Sequence, residues 1–217
     1  MIGTVAPTVG TVVRERVLAT ARAMNSHGLN QGASGNVSVR DGKGFWITPS
    51  ALPYDQCTPE DLVWLDWTGQ VRGRRKPSSE WRMHADIFRT YPQAGAILHA
   101  HSPYCTTLAC LERPIPAFHY MVAMAGGDSI RCASYATFGT QALSETVIEA
   151  LRDRSAALMA HHGMVCYGAD LDRVLSLAIE VETLARIYLQ ALAVGEPPVL
   201  PAGEMAEILH RFKDYRP

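Results

Sequence analysis

Apolar residues recur along this chain in two rhythms. Residues 11–26 (TVVRERVLATARAMNS) put Val13, Val17, Ala21 and Met24 on one flank, which predicts an amphipathic helix. In the stretch HGLNQGASGNVSVRDGKGFWITPS, glycines and asparagines punctuate two short strands near Asn36–Arg40 and Gly44–Thr48. DLVWLD, residues 61–66, predicts a third strand. Ser78 or Ser79 can cap a helix running through Arg89, and Pro92 stops it soon after. Ala94–Ala100 predicts a buried strand and Pro103–Leu111 a short helix. A helix over Gly139–Arg152, strands over Ala156–Ala160 and Met164–Tyr167, a long helix over Leu171–Val194 and a last one over Glu204–Lys213 complete the series. Strands and helices interleave irregularly. This predicts a layered α/β domain with a mixed central sheet, not a strict βαβ repeat.

Composition narrows the function classes. With 217 residues, 47% of them apolar, the chain can bury a sizeable core as one domain. A net charge of −1 gives no reason to expect nucleic acid or an anionic membrane surface as partner. No apolar run reaches the ~20 residues of a membrane span. The opening MIGTVAPTVGTVVRERV shows no basic flank followed by an apolar signal core. The five cysteines (57, 105, 110, 132 and 166) are odd in number and form no C-x-x-C. Reduced thiols in the cytoplasm are expected, each a small buried apolar residue.

The polar exceptions carry the chemistry. His99 and His101 end an apolar run in AILHAHS, and i, i+2 in a strand share a face. His162 ends another in ALMAHHGMV, before Gly163. Three imidazoles with an open fourth position make the pattern of a catalytic divalent-metal site. The competing reading of H-x-H is a hydrogen-bonded pair at a strand end. His161 is expected to face away, and His84, beside Ile87 and Phe88, to be structural. Glu80, in KPSSEWRMH, is either a solvated helix-start carboxylate or a general base near the metal, and spacing alone leaves both open. Three loops offer small donors to an anion: GASGNVS with Asn36, Thr48-Pro49-Ser50, and Ser78-Ser79. Gly/Ser/Asn loops are usually only turns, so their meaning depends on whether the fold brings them together.

GLNQGASGNVSVR, ITPS, KPSSEWRMH, AILHAHSPYC, PAFHYMVAMAGG, YATFGT, MAHHGM and the terminal RFKDY together resemble the metal-dependent, class II ketose-1-phosphate aldolases, nearly end to end. The resemblance implies a three-layer α/β/α domain spanning 1–217 with a largely antiparallel sheet. It implies Zn²⁺, with Co²⁺ or Mn²⁺ as substitutes, on His99, His101 and His162. Glu80 matches the catalytic acid/base and Tyr120 the proton donor to the aldehyde oxygen. Asn36, Ser50, Ser78 and Ser79 match the phosphate site, and Phe138 an aldehyde-pocket residue. Phe212 and Tyr215 match a C-terminal tail, 212–217, that closes over a neighbouring subunit's site in a homotetramer. Without the resemblance, Tyr120 and Phe138 would read as core or interface aromatics.

The implied reaction is reversible C3–C4 cleavage of a sugar phosphate to dihydroxyacetone phosphate and an aldehyde. L-Fuculose 1-phosphate and 5-deoxyribulose or 5-(methylthio)ribulose 1-phosphate are the candidate substrates. Within the superfamily, a ribulose-phosphate 4-epimerase and a methylthioribulose-phosphate dehydratase are the alternatives. The epimerases typically carry Asp where Glu80 stands, and the dehydratases lack FHYM and YATFGT. A non-catalytic scaffold like the adducin head is disfavoured because all three histidines and Glu80 are present. The chain departs from the family at Ala51, where Gly is common. That substitution bears on the backbone around the phosphate, because glycine readily takes φ > 0.

Overall fold

The computed structural model describes residues 9–214. Eight strands form one sheet: β1 (Asn36–Asp41), β2 (Gly44–Ile47), β3 (Val63–Asp66), β4 (Val71–Arg72), β5 (Ala96–Ala100), β6 (Arg131–Ala133), β7 (Ala156–Met159) and β8 (Gly163–Gly168). Their order is β4-β3-β2-β1-β5-β8-β7-β6. Only the β6–β7 pair is parallel. The expected mixed, largely antiparallel sheet is therefore what the chain builds.

Helices cover both faces. On one lie α1 (Val9–Ser26), α3 (Pro103–Cys110), α5 (Leu171–Val194) and α6 (Ala202–Asp214). On the other lie α2 (Trp81–Thr90) and α4 (Gln141–Ala150). Side chains alternate along each strand, and the two cores divide the strands accordingly. In β5, Ala96, Leu98 and Ala100 enter the first core, and Ile97 the second. Because both faces are covered, β5 and β7 are buried at every position and read in sequence as unbroken apolar runs. Each large aliphatic side chain so enclosed contributes roughly 1.5–3 kcal/mol.

Several expectations need adjustment. Residues 59–61 form a 3-10 turn, so β3 starts at Val63 and not at Asp61. The α2 cap position is Glu80, not Ser78 or Ser79, and no side chain caps it. β4 and β6 are too short to repeat a pattern, and the 3-10 segment Tyr120–Ala125 (YMVAMA) is apolar throughout and so shows no alternation. Cys57, Cys105 and Cys166 are buried as expected, but Cys110 is exposed and Cys132 only partly covered. Cys110 closes α3 about 100° around the helix from buried Ala109, which turns it out of the core.

Candidate metal centre and cleft

The site is assembled at the middle of the sheet, where β1, β5 and β8 adjoin. His99 is the fourth residue of β5, and its cross-strand partner on β1 is Asn36. Paired residues project from the same face, so Asn36 and His99 both point toward the α2 layer. His101 follows the strand by one residue on the same side. His162 sits in the tight turn joining β7 to β8. In that turn the left-handed residue is His161 (φ 56°), not Gly163. Gly163 serves close approach instead, since a Cβ there would lie 2.3 Å from the Ala100 carbonyl oxygen and 3.2 Å from the His101 ring.

The three imidazoles converge, each offering one ligand atom, all within 4.8 Å of one another. Their ring centroids are 4.8–5.0 Å apart. His99 Nδ1 lies 2.8 Å from the Met164 carbonyl oxygen, which can only accept, so Nδ1 carries a hydrogen and Nε2 faces the cluster. His99 Nε2 is 3.0 Å from His101 Nε2 and 3.0 Å from Glu80 Oε2. His101 is anchored by its backbone N–H to Asn30 Oδ1 at 2.8 Å. Directly after it, Ser102 Oγ and the Tyr104 and Cys105 amides donate to the Glu182 carboxylate. His161 stays out of the imidazole cluster and turns to Glu112 (3.0 Å) and Tyr135, but with Tyr135 it lines the same cleft and so does not face away from the site.

Glu80 is 6% exposed, so the reading as a solvated helix-start carboxylate fails. Its Oε2 accepts from Asn36 Nδ2 at 3.0 Å. Oε1 lies 3.2 Å from His162 Nε2, yet no described residue gives this buried oxygen a hydrogen bond. Burial opposes charge on both Glu80 and His99, but their mutual attraction and hydrogen bond win. The carboxyl is held below its usual range and the imidazole above. Burial, then the neighbouring imidazoles, lowers His101 and His162 to about 4. Two neutral imidazoles, a charged carboxylate and an orphaned oxygen thus surround a point that demands positive charge. In metal-free protein the Glu80 carboxylate, 3.0 Å from His99 Nε2, favours a proton there. A divalent cation on the three ring nitrogens fits the same point, with the Met164 carbonyl fixing the ring beyond it.

A cleft of about 370 Å³ opens beside this centre. Asn36, Ser50, Ser78, Ser79, Glu80, Phe138, His101 and His162 all line it. The fold brings the three small-donor loops together. Ser50 N–H donates to the Lys76 carbonyl, Ser78 N–H to the Thr48 carbonyl, and Val37 N–H to Thr48 Oγ1. Among the described residues no Lys or Arg lines this cleft. Ala51 holds φ 55°, so its backbone keeps a conformation that glycine takes without strain.

Not every expected residue is there. Tyr120 is 51% exposed, stacks on His119 at 4.9 Å and does not line the cleft. Phe212 packs against the core on the α1, α3, α5 and α6 face. Tyr215 lies outside the described residues, as does the end of the expected tail. Sequence reasoning missed Asn30, Glu182 and the polar role of His84. For His84 a signal existed: it stands four residues after Glu80, on the same helix flank.

Three convergent imidazoles beside a buried carboxylate, on a sheet covered by helices on both faces, define a candidate divalent-metal site, and comparison with known proteins gives it a family. Residues 15–189 match the class II aldolase and adducin N-terminal domain family. The chain is 51% identical over 203 residues to a 5-methylthioribulose-1-phosphate/5-deoxyribulose-1-phosphate aldolase of Rhodospirillum rubrum, covering 94% of this chain and 92% of that one. It is 48% identical over 201 residues to an L-fuculose phosphate aldolase of Escherichia coli O6:H1, covering 92% and 94%. A solved L-fuculose 1-phosphate aldolase superposes with a TM-score of 0.91 at 38% identity, covering 97% of this chain and all of that one. The chain therefore belongs to the class II aldolase and adducin N-terminal domain family, and within it to the aldolases. Among the described residues, no helix is long and apolar enough to cross a membrane.

Proposed function

We propose that this chain is a zinc-dependent ketose-1-phosphate aldolase. It splits the C3–C4 bond to give dihydroxyacetone phosphate and a short aldehyde ending in a methyl or S-methyl group. L-Fuculose 1-phosphate and the 5-deoxy and 5-methylthio ribulose 1-phosphates all fit that description, and the relatives above carry those names. One observation carries the reading: a buried carboxylate with a free oxygen abuts three convergent imidazoles at the floor of a cleft walled by hydroxyl and amide donors.

His99, His101 and His162 hold the ion. When bound, Zn²⁺ supplies the Lewis acidity that accommodates the negative charge left on the ketone side as the C3–C4 electron pair departs. Glu80 handles the proton at C3 through Oε1, giving it in cleavage and taking it in condensation. Asn36, Ser50, Ser78 and Ser79 bind the phosphate by neutral hydrogen bonds, and that binding energy holds the reacting carbons in register. Phe138, 65% exposed on the rim, offers an apolar wall to the aldehyde end. Tyr120 takes the proton of the C4 hydroxyl in cleavage and returns it in condensation. Its exposure and its distance from this chain's own cleft favour sites completed between subunits of a homotetramer, with Phe212 and Tyr215 of the tail closing over a neighbour's site. Cytoplasmic sugar-phosphate metabolism, including salvage of methylthio sugars from methionine turnover, is the setting this chemistry suits.

The test is a panel of ketose 1-phosphates given to zinc-loaded protein and ranked by kcat/KM. Dihydroxyacetone phosphate and free aldehyde are the expected products. Formation of an epimer, or loss of water with the carbon chain intact, overturns the proposal in favour of a 4-epimerase or a dehydratase. Purified protein that takes up no metal and turns over none of the panel indicates a scaffold.

A further inference from the structure

His84 is buried beneath the cleft with no part in the reaction just described. It is wholly enclosed on α2, one turn beyond Glu80, yet both ring nitrogens are engaged. Nε2 lies 2.5 Å from Asn36 Oδ1, and Nδ1 lies 2.6 Å from Ser38 Oγ. Asn36 and Ser38 are alternate residues of β1 and so project to the same face. Asn36 Nδ2 then donates to Ser78 Oγ at 2.9 Å and to Glu80 Oε2 at 3.0 Å. One chain of hydrogen bonds runs from Ser38 through His84 and Asn36 to both ends of the cleft.

Its directions are forced from one end. An ionised carboxylate only accepts, so Asn36 must turn its NH₂ toward Glu80 and its oxygen toward His84. An amide oxygen also only accepts, so His84 must carry its hydrogen on Nε2. Burial lowers His84 to about 3, so the ring is neutral and has a single N–H. Nδ1 is then bare, and the Ser38 hydroxyl donates to it. The same logic reaches Ser78. Its oxygen accepts from Asn36 Nδ2 and, at 3.4 Å, from the Glu80 amide, which leaves its own O–H to donate into the cleft.

We infer that His84 is a positioning residue. By locking the Asn36 amide in one orientation it ties down Glu80 Oε2, leaves Oε1 as the proton-carrying oxygen, and aims the Ser78 hydroxyl at the phosphate. This rests on the acid/base role proposed for Glu80. A residue that only filled space would be replaceable by any ring of similar size, and its loss would lower stability without selecting a kinetic step.

The experiment compares His84→Phe and His84→Gln in zinc-loaded protein. Phenylalanine fills the space but donates nothing, whereas glutamine keeps a side-chain N–H near the position of Nε2. With metal content equal to wild type, His84→Phe is expected to lose at least about tenfold in kcat and in solvent exchange at C3 of dihydroxyacetone phosphate. Its KM is expected to rise as Ser78 loses its orientation, and His84→Gln to recover most of both. Metal-loaded His84→Phe with kcat and exchange within twofold of wild type overturns the inference. Should His84→Phe not fold, Ser38→Ala removes only the donor to Nδ1. A loss of about threefold or more in exchange supports the relay, and unchanged exchange overturns it. A readout free of turnover is long-range ¹H–¹⁵N NMR of labelled histidine, with the His84 ring assigned through His84→Gln. The Nε2–H tautomer is expected between pH 6 and 9, and the Nδ1–H tautomer or an imidazolium overturns the relay. Wild-type protein that cleaves no ketose 1-phosphate overturns the proposed function instead, and the tautomer then decides the relay by itself.

Discussion

The two ends of the cleft are built on different principles. At the metal end, charge is concentrated and buried. His99 is inaccessible and Glu80 nearly so, and the positions follow from strand pairing, with His99 opposite Asn36 on the neighbouring strand. At the other end, the groups are neutral, Ser50 and Ser79 are exposed, and the positions follow from loops that clasp one another through Ser50–Lys76 and Ser78–Thr48 backbone bonds. The difference teaches where each kind of demand is met. A charge that must act in a dry environment needs side chains that cannot relax, and a sheet covered on both faces supplies them. Recognition of a solvated phosphate tolerates looser walls and needs only donors at the right spacing.

The largest effects should therefore come from the metal end. His99→Ala removes the ring that touches both His101 and Glu80. It is expected to abolish stoichiometric metal binding and to reduce turnover by about 10³-fold or more, checked by metal analysis beside kinetics. Retained zinc with retained activity would mean that the imidazole cluster is not the electron sink. Glu80→Gln is expected to keep metal and lose turnover by about 10²–10⁴-fold, with loss of solvent exchange at C3 of dihydroxyacetone phosphate. Near wild-type exchange in that variant would remove Glu80 from its role.

Metal removal sharpens the same contrast. The His99 imidazole is held above its ordinary range, whereas His101 and His162 are at about 4. Of the three rings, His99 is therefore the one that holds a competing proton to the highest pH, because the Glu80 carboxylate attracts it. Near neutral pH zinc uptake should accordingly release no more than about one proton per chain, measurable by calorimetry in buffers of differing ionisation enthalpy. Affinity should fall as pH drops through the range where His99 charges, with little further competition from the other two rings until about pH 4. Release of two or three protons per ion would contradict this assignment of charge. The loop end should respond more mildly and in a different parameter. Ser79→Ala removes one neutral donor, so KM is expected to rise about threefold to tenfold with kcat within twofold of wild type. A kcat loss larger than the KM change would place Ser79 with the reacting carbons instead.

How much of this was legible in the sequence follows the same division. His99 and His101 were readable because i, i+2 spacing in an apolar run is a local signal. His162 was readable because its run ends as theirs does. Glu80 was ambiguous because a carboxylate at a helix start looks the same whether it meets water or three imidazoles, and only the packing of α2 against the sheet decides. Asn36 opposite His99 depends on strand register, and Asn30 and Glu182 depend on contacts across 71 and 80 residues, which no local pattern encodes. The resemblance to the aldolases supplied Tyr120 and Phe212 as functional residues, but within one chain neither reaches the cleft.

The smallest effect is expected at Ala51, and it probes whether the loop end is strained by its own sequence. A residue with a Cβ at φ 55° costs about 1–2 kcal/mol relative to glycine in the folded state. Glycine also gains entropy in the unfolded chain, which opposes roughly 0.4–1 kcal/mol of that relief. Ala51→Gly should therefore stabilise the protein by at most about 1.6 kcal/mol, readable as a small rise in the denaturant midpoint at constant m-value. Because the relief is local and the metal end is anchored elsewhere, zinc binding and exchange at C3 should not change, while KM for the phosphate substrate should shift by less than about threefold. A loss of stability would mean that tertiary contacts hold the left-handed turn so firmly that the chain no longer feels the methyl group. A change in zinc affinity would mean that strain at Ala51 reaches the metal end, through the Thr48–Ser78 backbone bond and the Asn36 amide that joins Ser78 to Glu80.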